Sequence, residues 1–349
     1  MSQVFHIAKN KKNLEARFEI IKLIREFFWL QEFVEVDPPA LVKYPGQEPN
    51  LSAMKVFFHN EYNQKYNSYL HTSPEYAMKK MLSAGFDKIF YLGKCYRDYE
   101  SFGGYHNPEF TMIEWYRCNT DFYTLMGDVR NLVSYLLERM ESQKSKVSTK
   151  GESAFGGKSQ KSFDKDWKIL SMKELWKDIV NVDLDDCLNS EKMLELCVAR
   201  GFKPEVGESY EELFYRIFLD EIEPKLVNMG NIIIHHYPAQ MASLSKLSEK
   251  EIGYAERFEV YINGIEIANA FTELTDADEQ LKRLQEEQLE RKKLGKEVYE
   301  IDAEFIEALK TILESAGIAL GVDRLIQVLL SCKNIDDVII LPASDLFSC

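Results

Sequence analysis

The apolar residues of segment 13–31, NLEARFEIIKLIREFFWLQ, recur at intervals of three and four. Side chains at that spacing share one face of a helix, so the segment predicts an amphipathic helix with Asn13 as its N-cap. Its apolar face would consist of Leu14, Phe18, Ile21, Ile24 and Phe28. The run FVEVDPPAL follows, and its two adjacent prolines predict the end of a short extended segment.

Two further stretches have the pattern of antiparallel hairpins. In the first, the runs IFYLGKCY (89–96) and FTMIEWY (110–116) are joined by a polar segment that contains glycine. In the second, 256–271, the dipeptide Asn263-Gly264 supplies the turn. The apolar run NIIIHHYP (231–238) predicts a further strand, which its proline ends.

Helical patterns lie between these strands. In TSPEYAMKKMLSAGF, Thr72 or Ser73 is the expected cap, Pro74 the first helical residue and Gly85 the stop after a helix that ends near Ser83. Further helices are predicted at 121–141, at several places within 169–228, at 276–295 and from about Asp323 onward. The helix at 276–295 is so rich in charge that a solvated face is its expected role.

The composition describes one large domain or two ordinary ones. The chain has 349 residues, of which 45% are hydrophobic and 29% charged. No stretch approaches the roughly 18 apolar residues that a membrane span needs, so no membrane association is expected. The N-terminus lacks a secretion signal, and we expect an unexported, cytoplasmic protein. Segment 144–166 is rich in serine, lysine and glycine, which predicts a flexible loop.

Cysteine usage and net charge narrow the choice of function. The six cysteines form no CxxC pair, which is typical of a reduced compartment without a structural zinc site. They are Cys95, Cys118, Cys187, Cys197, Cys332 and Cys349. The net charge of −14 argues against a large nucleic-acid footprint, because phosphate binding usually requires a basic face.

Four segments carry candidate chemistry: SPE (73–75), RDYESFGGYHNPEFTMIEWYR (97–117), FEVYINGIEIANAFTE (258–273) and GIALGVDR (317–324). Each is weak alone, since SPE commonly starts a helix and GVDR commonly caps one. In the third segment, Glu259 and Glu266 lie on opposite arms of the predicted hairpin, and their side chains could approach each other. Magnesium would remove their repulsion, and two solvated carboxylates are the alternative.

In this order and spacing, the four segments resemble the lysine-specific class II aminoacyl-tRNA synthetases and their relatives. The resemblance implies an α+β fold, in which an antiparallel sheet flanked by helices forms a single catalytic domain over residues 1–349. That domain would carry ATP, Mg2+ and a lysine-like amino acid. The first predicted helix, strand and prolines resemble the first motif of the family, where this element builds a homodimer interface.

The resemblance also implies a role for each matching residue. The expected catalytic residues are Arg97, beside the α-phosphate and the substrate carboxylate, and Arg324, beside the adenine and the γ-phosphate. The implied ATP site consists of Arg97, Asp98, Tyr99, Glu100, His106, Asn107, Phe110 under the adenine, Glu266, Ile267, Gly321 and Arg324. The implied amino-acid pocket consists of Ser73, Pro74, Glu75, Tyr116, Asn269, Glu273 and Ala319, and Glu259 and Glu266 would bind magnesium. The loop after Arg97 is about one residue longer than in relatives, which leaves open whether Asp98 or Glu100 faces the adenine amine.

These roles agree with the chemistry of amino-acid activation. A carboxylate that attacks the α-phosphate of ATP brings two anions together, and a planar guanidinium can bridge both. Two acids suit a substrate with two ammonium groups. Glu273 with Tyr116 would bind the terminal ammonium and Glu75 the other, and a neutral amino acid would leave a buried acid unpaired.

Two features favour one branch of this family. Lysyl-tRNA synthetases usually carry glycine where GIALG has Ala319, whereas alanine is usual in the elongation factor P lysine ligases and accompanies a preference for (R)-β-lysine. The first motif begins by residue 13, which leaves no room for the N-terminal β-barrel that reads the anticodon. We therefore expect (R)-β-lysine, or lysine, to be activated with ATP and transferred to the ε-amine of a lysine on elongation factor P, with tRNA an unlikely partner.

Three alternatives stay open at this point. A shortened lysyl-tRNA synthetase would charge tRNA directly and bind it in a salt-dependent manner. An asparagine-synthetase-like enzyme would need cations for an aspartate substrate, and the two pocket acids argue against it. A catalytically dead regulatory binding module would have no reason to retain Arg97, Glu259, Glu266 and Arg324 together.

Overall fold

The structure of the protein is a computed structural model that describes residues 2–147 and 166–347. The strands are β1 (Val34–Glu35), β2 (Leu41–Val42), β3 (Lys55–His59), β4 (Lys65–Leu70), β5 (Lys88–Tyr96), β6 (Glu109–Cys118), β7 (Trp167–Ser171), β8 (Asn231–Pro238), β9 (Tyr254–Ile262), β10 (Ile265–Thr272) and β11 (Ser315–Gly321). The helices are α1 (Gln3–Leu30), α2 (Glu75–Ser83), α3 (Phe122–Val147), α4 (Met172–Ile179), α5 (Ser190–Ala199), α6 (Tyr210–Ile217), α7 (Glu223–Leu226), α8 (Ala277–Lys293), α9 (Ala303–Leu309), α10 (Val322–Leu329) and α11 (Ala343–Leu346). Short helical turns lie at Leu184–Cys187, Phe218–Ile222, Ala239–Met241 and Ile335–Val338.

One large sheet organises the fold. Its eight strands run in the order β1-β5-β6-β11-β10-β9-β8-β7, and β2, β4 and β3 form a separate small sheet. The six central strands are antiparallel to their neighbours, while β1 on β5 and β7 on β8 are parallel. The α+β class with an antiparallel sheet flanked by helices is therefore confirmed, with one parallel strand added at each edge.

Both predicted hairpins form. The first is β5 with β6, and the second is β9 with β10. Asn263 and Gly264 have φ values of 52° and 80°, which are the left-handed conformations that a tight hairpin turn requires. A side chain at Gly264 would also collide with Val227, since its Cβ would lie 2.6 Å from Val227 Cγ2.

Helices cover the two faces of the large sheet differently. On one face, α1, α3 and α10 pack over a continuous apolar core that includes Phe28, Trp115 and Phe258. On the other face, α4, α6 and their neighbours pack around Trp176, while α2, α8 and α9 pack around Phe305. The sheet surface between these two groups is where the candidate site lies.

The first helix is longer than the sequence predicts, and its outer face differs. It begins at Gln3, so Asn13 lies inside it and donates to the carbonyl of Asp337 at 3.3 Å. The added turns pack on the C-terminal segment, where His6 donates to the carbonyl of Ile339 at 3.1 Å. Phe18, which was expected in the core, is 51% exposed. Local patterns could not show where the helix starts, because contacts with residues more than 300 positions away stabilise its first turns.

The other helix boundaries agree more closely with the prediction. The second helix starts at Glu75, one residue later than expected, and ends at Ser83. Gly85 follows with φ 96°, as a helix stop requires. The third helix continues to Val147, so residues 144–147 are helical rather than part of the predicted loop. The rest of that loop, 148–165, lies outside the described residues.

The charged helix α8 is not only a solvated face. Its Arg291 is buried and donates to the carbonyls of Glu48 and Leu51, both at 2.8 Å. It therefore anchors the loop that joins β2 to β3 in the small sheet. No helix among the described residues is long and apolar enough to cross a membrane. The five cysteines within these residues are free thiols, and Cys349 lies outside them.

Candidate active site

A single row of residues crosses the centre of the sheet. Glu114 on β6 pairs with Ala319 on β11, Ala319 pairs with Asn269 on β10, and Asn269 pairs with Glu259 on β9. Directly opposed residues of antiparallel strands point to the same face. The sheet register thus places three segments of the sequence, far apart along the chain, side by side on the uncovered surface.

Three buried carboxylates form one end of this site. Glu75 comes from the first turn of α2, Glu114 from β6, and Glu273 from the residue after β10. Glu114 accepts hydrogen bonds from Tyr116 at 2.6 Å and from Ser73 at 2.8 Å. The Ser73 hydroxyl also accepts a hydrogen bond from the backbone N–H of Glu75 at 3.0 Å. One hydroxyl therefore binds the first turn of α2 and orients the carboxylate of Glu114.

Burial makes two of these carboxylates, Glu114 and Glu273, easier to protonate. It raises the pKa of Glu114 to about 8, with the charge of Glu75 as the next cause. Burial also raises the pKa of Glu273, although the ammonium of Lys79 opposes that shift. Glu273 Oε1 has no hydrogen-bond partner among the described residues. The pocket therefore holds unpaired acceptor capacity, which a cationic ligand would use.

A glycine keeps this pocket open. A Cβ at Gly317 would lie 2.2 Å from the ring of Tyr116 and 2.3 Å from Glu273 Oε1. Those distances are far below any real contact, so only glycine allows the tyrosine and the glutamate to approach the strand. Ala319, one row further along β11, is only partly buried and borders the same pocket.

Arg97 lies directly after β5, at the mouth of the loop that joins the first hairpin. Its backbone N–H donates to the carbonyl of Pro108 at 2.9 Å, which closes the base of that loop. Its guanidinium lies 5.0 Å from the centre of the Phe110 ring, and its buried Nε has no hydrogen-bond partner in the described part of the chain. The side chain is thus positioned by stacking and retains free donors for an anion.

Arg324 connects three parts of the site. It donates to the carbonyl of Tyr105 at 3.1 Å and to the carbonyl of Glu266 at 3.0 Å. Its other nitrogen lies 2.9 Å from His106 Nε2, which must accept because a guanidinium only donates. Burial, and then the charge of Arg324, lower the pKa of His106, so the imidazole is neutral.

The loop residues have different surroundings. Asp98 accepts from the N–H of Tyr99 at 3.0 Å, and the ring of Tyr99 is 91% exposed. Glu100 lies 4.0 Å from His106, which makes it the loop acid that faces the site in this structure. Asn107 binds the carbonyl of Glu109 at 2.6 Å and the N–H of Ala343 at 2.9 Å, so its amide fixes the loop.

The two candidate magnesium ligands differ in what they already bind. Glu259 is buried and accepts from Arg257, Tyr237 and Tyr261 at 2.6 to 2.8 Å. Within the described residues, the carboxylate of Glu266 contacts only Arg324, at 3.5 Å, and burial, followed by the charge of Glu259, raises its pKa. Among the described residues, no cluster of three metal-binding side chains exists. Two mutually repelling carboxylates still fit a cation that brings further oxygen ligands from a nucleotide.

The strand end near Arg324 has room for a ligand. Gly321 has an ordinary φ of −72°, and a Cβ there would make only contacts of 3.8 Å, one of them with the carbonyl of Ile267. The protein itself therefore does not require glycine at this position. Close approach of a bound molecule would require it.

Comparison with known proteins agrees with this geometry. The model of the family described as tRNA synthetases class II (D, K and N) matches residues 4–345. The chain belongs to this family. Three curated relatives of this class II synthetase carry the name elongation factor P–(R)-β-lysine ligase. The relative from Hamiltonella defensa is 33% identical to this chain, and the match covers 95% of this chain and 94% of the relative's length. That of Photorhabdus laumondii is 36% identical with 93% of both chains covered, and that of Haemophilus influenzae is 33% identical with 94% of both.

Two buried residues of this class II synthetase were missed in the sequence. Glu114 stands two positions before Tyr116 on a strand, so their side chains share a face, and that alternation could have identified it. Lys79 stands one helical turn after Glu75, and the i to i+4 spacing could have identified it. Glu114 lies inside a segment that the sequence had already singled out, and Lys79 lies in the predicted helix that follows Ser73-Pro74-Glu75. Pro74, in contrast, is the N-cap of α2, and its carbonyl accepts the N–H of Met78 at 3.0 Å.

Proposed function

We propose that the protein is an AMP-forming ligase that activates (R)-β-lysine, or lysine, and attaches it to elongation factor P. The substrate carboxylate oxygen attacks the α-phosphorus of ATP, and pyrophosphate leaves. The ε-amine of a lysine on elongation factor P then attacks the carbonyl carbon of the adenylate, and AMP leaves with the carboxyl oxygen. The names of the curated relatives support this assignment. An acceptor that belongs to the translation machinery implies a cytoplasmic reaction.

The pocket of buried carboxylates is the observation that carries the proposal. Glu75, Glu114 and Glu273 are buried near one another, and Glu273 Oε1 lacks a hydrogen-bond partner among the described residues. An amino acid with two ammonium groups neutralises two of these acids. A neutral amino acid leaves two buried negative charges without a compensating cation, which is costly. Selection of a diamino acid follows from this cost.

Arg97 and Arg324 supply the positive charge that the first step needs. The free Nε of Arg97 and its stacked guanidinium suit an anion held between ATP and the amino acid. Arg324 is fixed by Tyr105, His106 and Glu266, so it presents a rigid cation at the nucleotide end. Fixed charges of this kind stabilise a transition state without reorganisation.

Magnesium would be held by Glu266, with Glu259 beside it, and when bound it neutralises charge on the departing pyrophosphate. The remaining residues act on their own. Gly321 leaves room for the nucleotide, Phe110 offers an aromatic face, and Glu100 is the loop acid placed to accept from an amine.

The position of Ala319 supports a β-amino acid. Its methyl group lies between Glu114 and Asn269 in the central row, where the amine nearest the carboxylate would bind. Compared with glycine, the methyl group of Ala319 displaces the bound amine. A β-amine suits this displacement, because it stands one carbon further from the carboxylate than an α-amine. We infer that (R)-β-lysine is preferred to lysine, and that the whole chain acts as one catalytic domain.

A homodimer is the proposed assembly. Ile7, Phe18 and Trp29 are spaced by eleven residues, which is three helical turns, so they form one line along α1. All three are exposed, as are Leu30, the last residue of the helix, and Val34, the first residue of β1. A second copy of the chain would cover this surface. We expect no tRNA partner.

The decisive experiment is amino-acid-dependent exchange between ATP and pyrophosphate, followed by transfer of labelled amino acid. We expect exchange with (R)-β-lysine and weaker exchange with lysine, and transfer to elongation factor P but not to tRNA. Arg97→Ala should lower exchange by at least about 100-fold without unfolding the protein. Faster charging of tRNA than of elongation factor P, or absence of exchange with every lysine isomer, would contradict the proposal.

A further inference from the structure

Lys79 is a buried cation at the centre of the amino-acid pocket. It lies on α2 one turn after Glu75 and has no solvent exposure. Its Nζ lies 2.6 Å from Glu75 Oε1 and 2.5 Å from Glu273 Oε2. One ammonium therefore joins two carboxylates that come from different elements, the helix and the end of β10.

The aromatic side chains around Lys79 fix its position. Its ammonium lies 5.9 Å from the centre of the Phe305 ring, and Phe305 stacks on Tyr76 with ring centres 4.1 Å apart. Burial alone would lower the pKa of Lys79, but the charges of Glu273 and Glu75 outweigh it and raise the pKa. The side chain therefore stays charged, and its ammonium is held between the two carboxylates beside the Phe305 ring.

The charge that Lys79 leaves in the pocket matches the proposed substrate. Among the described residues, Lys79 is the only ion-pair partner of Glu75 and Glu273, and Glu114 has none. Three carboxylates and one ammonium carry two net negative charges when all are ionised. Glu48 is not counted with these three carboxylates, because its charge is opposed by the nearby guanidinium groups of Arg97 and Arg291.

We propose that Lys79 is a positioning residue for substrate selection, which ties Glu75 to Glu273 and sets the pocket charge to accept two ammonium groups. The inference rests on the proposed function and extends it to a residue that does not contact the reacting atoms. Without Lys79, Glu75 and Glu273 repel each other and lose their common anchor. The ammonium groups of the substrate would then meet acids that are protonated or displaced.

The test compares substitutions at two adjacent lysines of α2. Lys79→Met and Lys79→Gln remove the buried charge, and Gln keeps the ability to donate hydrogen bonds. Lys80→Met is the control, because Lys80 lies on the outer side and pairs with Asp302 at 2.6 Å. We expect KM for the diamino acid to rise roughly 10- to 100-fold in both Lys79 variants, with kcat changed less than about threefold. The control should match the wild type.

A rescue experiment separates charge from packing. In Lys79→Ala, propylammonium should refill the space and lower KM toward the wild-type value, whereas propanol, which is neutral and similar in size, should not. Rescue by both compounds, or an unchanged KM in folded Lys79→Gln, would overturn the proposal. So would a loss confined to kcat. If the wild type showed no amino-acid-dependent exchange between ATP and pyrophosphate, the proposed function itself would be contradicted. Failure of the Lys79 proposal can therefore be distinguished from failure of the proposed function.

Discussion

At the residue scale, the protonation of Glu114 predicts how substrate binding depends on pH. Its pKa is about 8 because it is buried near Glu75, with Glu273 also contributing, while hydrogen bonds from Tyr116 and Ser73 oppose the shift. The protonated acid is neutral and binds an ammonium poorly, so ionisation favours binding. Affinity for a diamino acid should therefore rise about fivefold between pH 7 and pH 8, with release of a proton.

Isothermal titration calorimetry in buffers of different ionisation enthalpy measures both the affinity and the number of protons released. Glu114→Gln is the matched variant, since it keeps the shape of the side chain but cannot titrate. Its affinity should be lower and should depend less on pH over this interval, and the dependence that remains belongs to Glu273, whose pKa burial also raises. If the wild type bound equally well at both pH values, Glu114 would not be the titrating group.

Gly317 gives a second prediction at the same scale. Gly317→Ala places a methyl group against Tyr116 and Glu273, so we expect a loss of roughly 1–3 kcal/mol in stability and a higher KM for the amino acid. Gly127→Ala is the control, because nothing lies within 4 Å of its Cβ and it sits in helix α3. That variant should be neutral or gain about 0.5–1 kcal/mol. Thermal unfolding and exchange kinetics compare the pair, and equal effects would contradict the packing argument.

The candidate residues could be predicted because their types and spacing persist in motifs, but their partners could not. Asn107 was assigned to ATP, and only the structure shows that Ala343 occupies its amide. Lys79 looks like an ordinary surface lysine on a helix until Glu273, almost two hundred positions away, lies beside it. A charge in the sequence carries no sign of whether it will be buried.

At the scale of elements, a buried ion pair joins the first helix to the active site. Arg17 on α1 pairs with Asp323 at the start of α10, and it donates to the hydroxyl of Thr111 on β6 at 2.7 Å. Asp323 also accepts the backbone N–H of Thr111 at 2.7 Å. This network holds in place the strand that carries Glu114 and the helix that carries Arg324.

Arg17→Met should therefore destabilise the fold by about 3–5 kcal/mol, because it leaves Asp323 buried without its partner. Arg25→Met is the control on the same helix, since Arg25 and Glu35 form a half-exposed pair that should contribute less than about 1 kcal/mol. Urea unfolding followed by fluorescence measures the difference. A cost for Arg17→Met no larger than that for Arg25→Met would show that the network is not a structural link.

Some secondary-structure elements could be predicted from the sequence more accurately than others. The hairpins could be identified because turn residues such as Asn263-Gly264 and alternating side chains act locally. The start of α1 could not, since the turns before Asn13 are stabilised by the C-terminal segment. The same holds for α8, whose charged sequence hides a buried Arg291.

At the scale of the whole molecule, the two faces of α1 have different roles. The inner face buries Ile20, Ile24 and Phe28 against the sheet, while Phe18 and Trp29, each 51% exposed, form part of an outer apolar line. Exposed apolar surface of this kind is usually covered by a partner. Because the inner face also carries Arg17, a contact made on the outer face would stabilise the helix that supports the active site.

We therefore expect Trp29→Glu, alone or with Phe18→Glu, to produce monomers and to lower activity indirectly. A buried negative charge at a dimer contact should raise the dissociation constant by at least about 100-fold. Sedimentation velocity across a range of concentrations measures the assembly, and Leu289→Glu on α8 is the control, since its side chain is 60% exposed and lies away from α1. If the Trp29 variant stayed as associated as the control, the outer line of α1 would not be the dimer contact. If it became a monomer with full exchange activity, the active site would be supported by α1 alone, without the second copy.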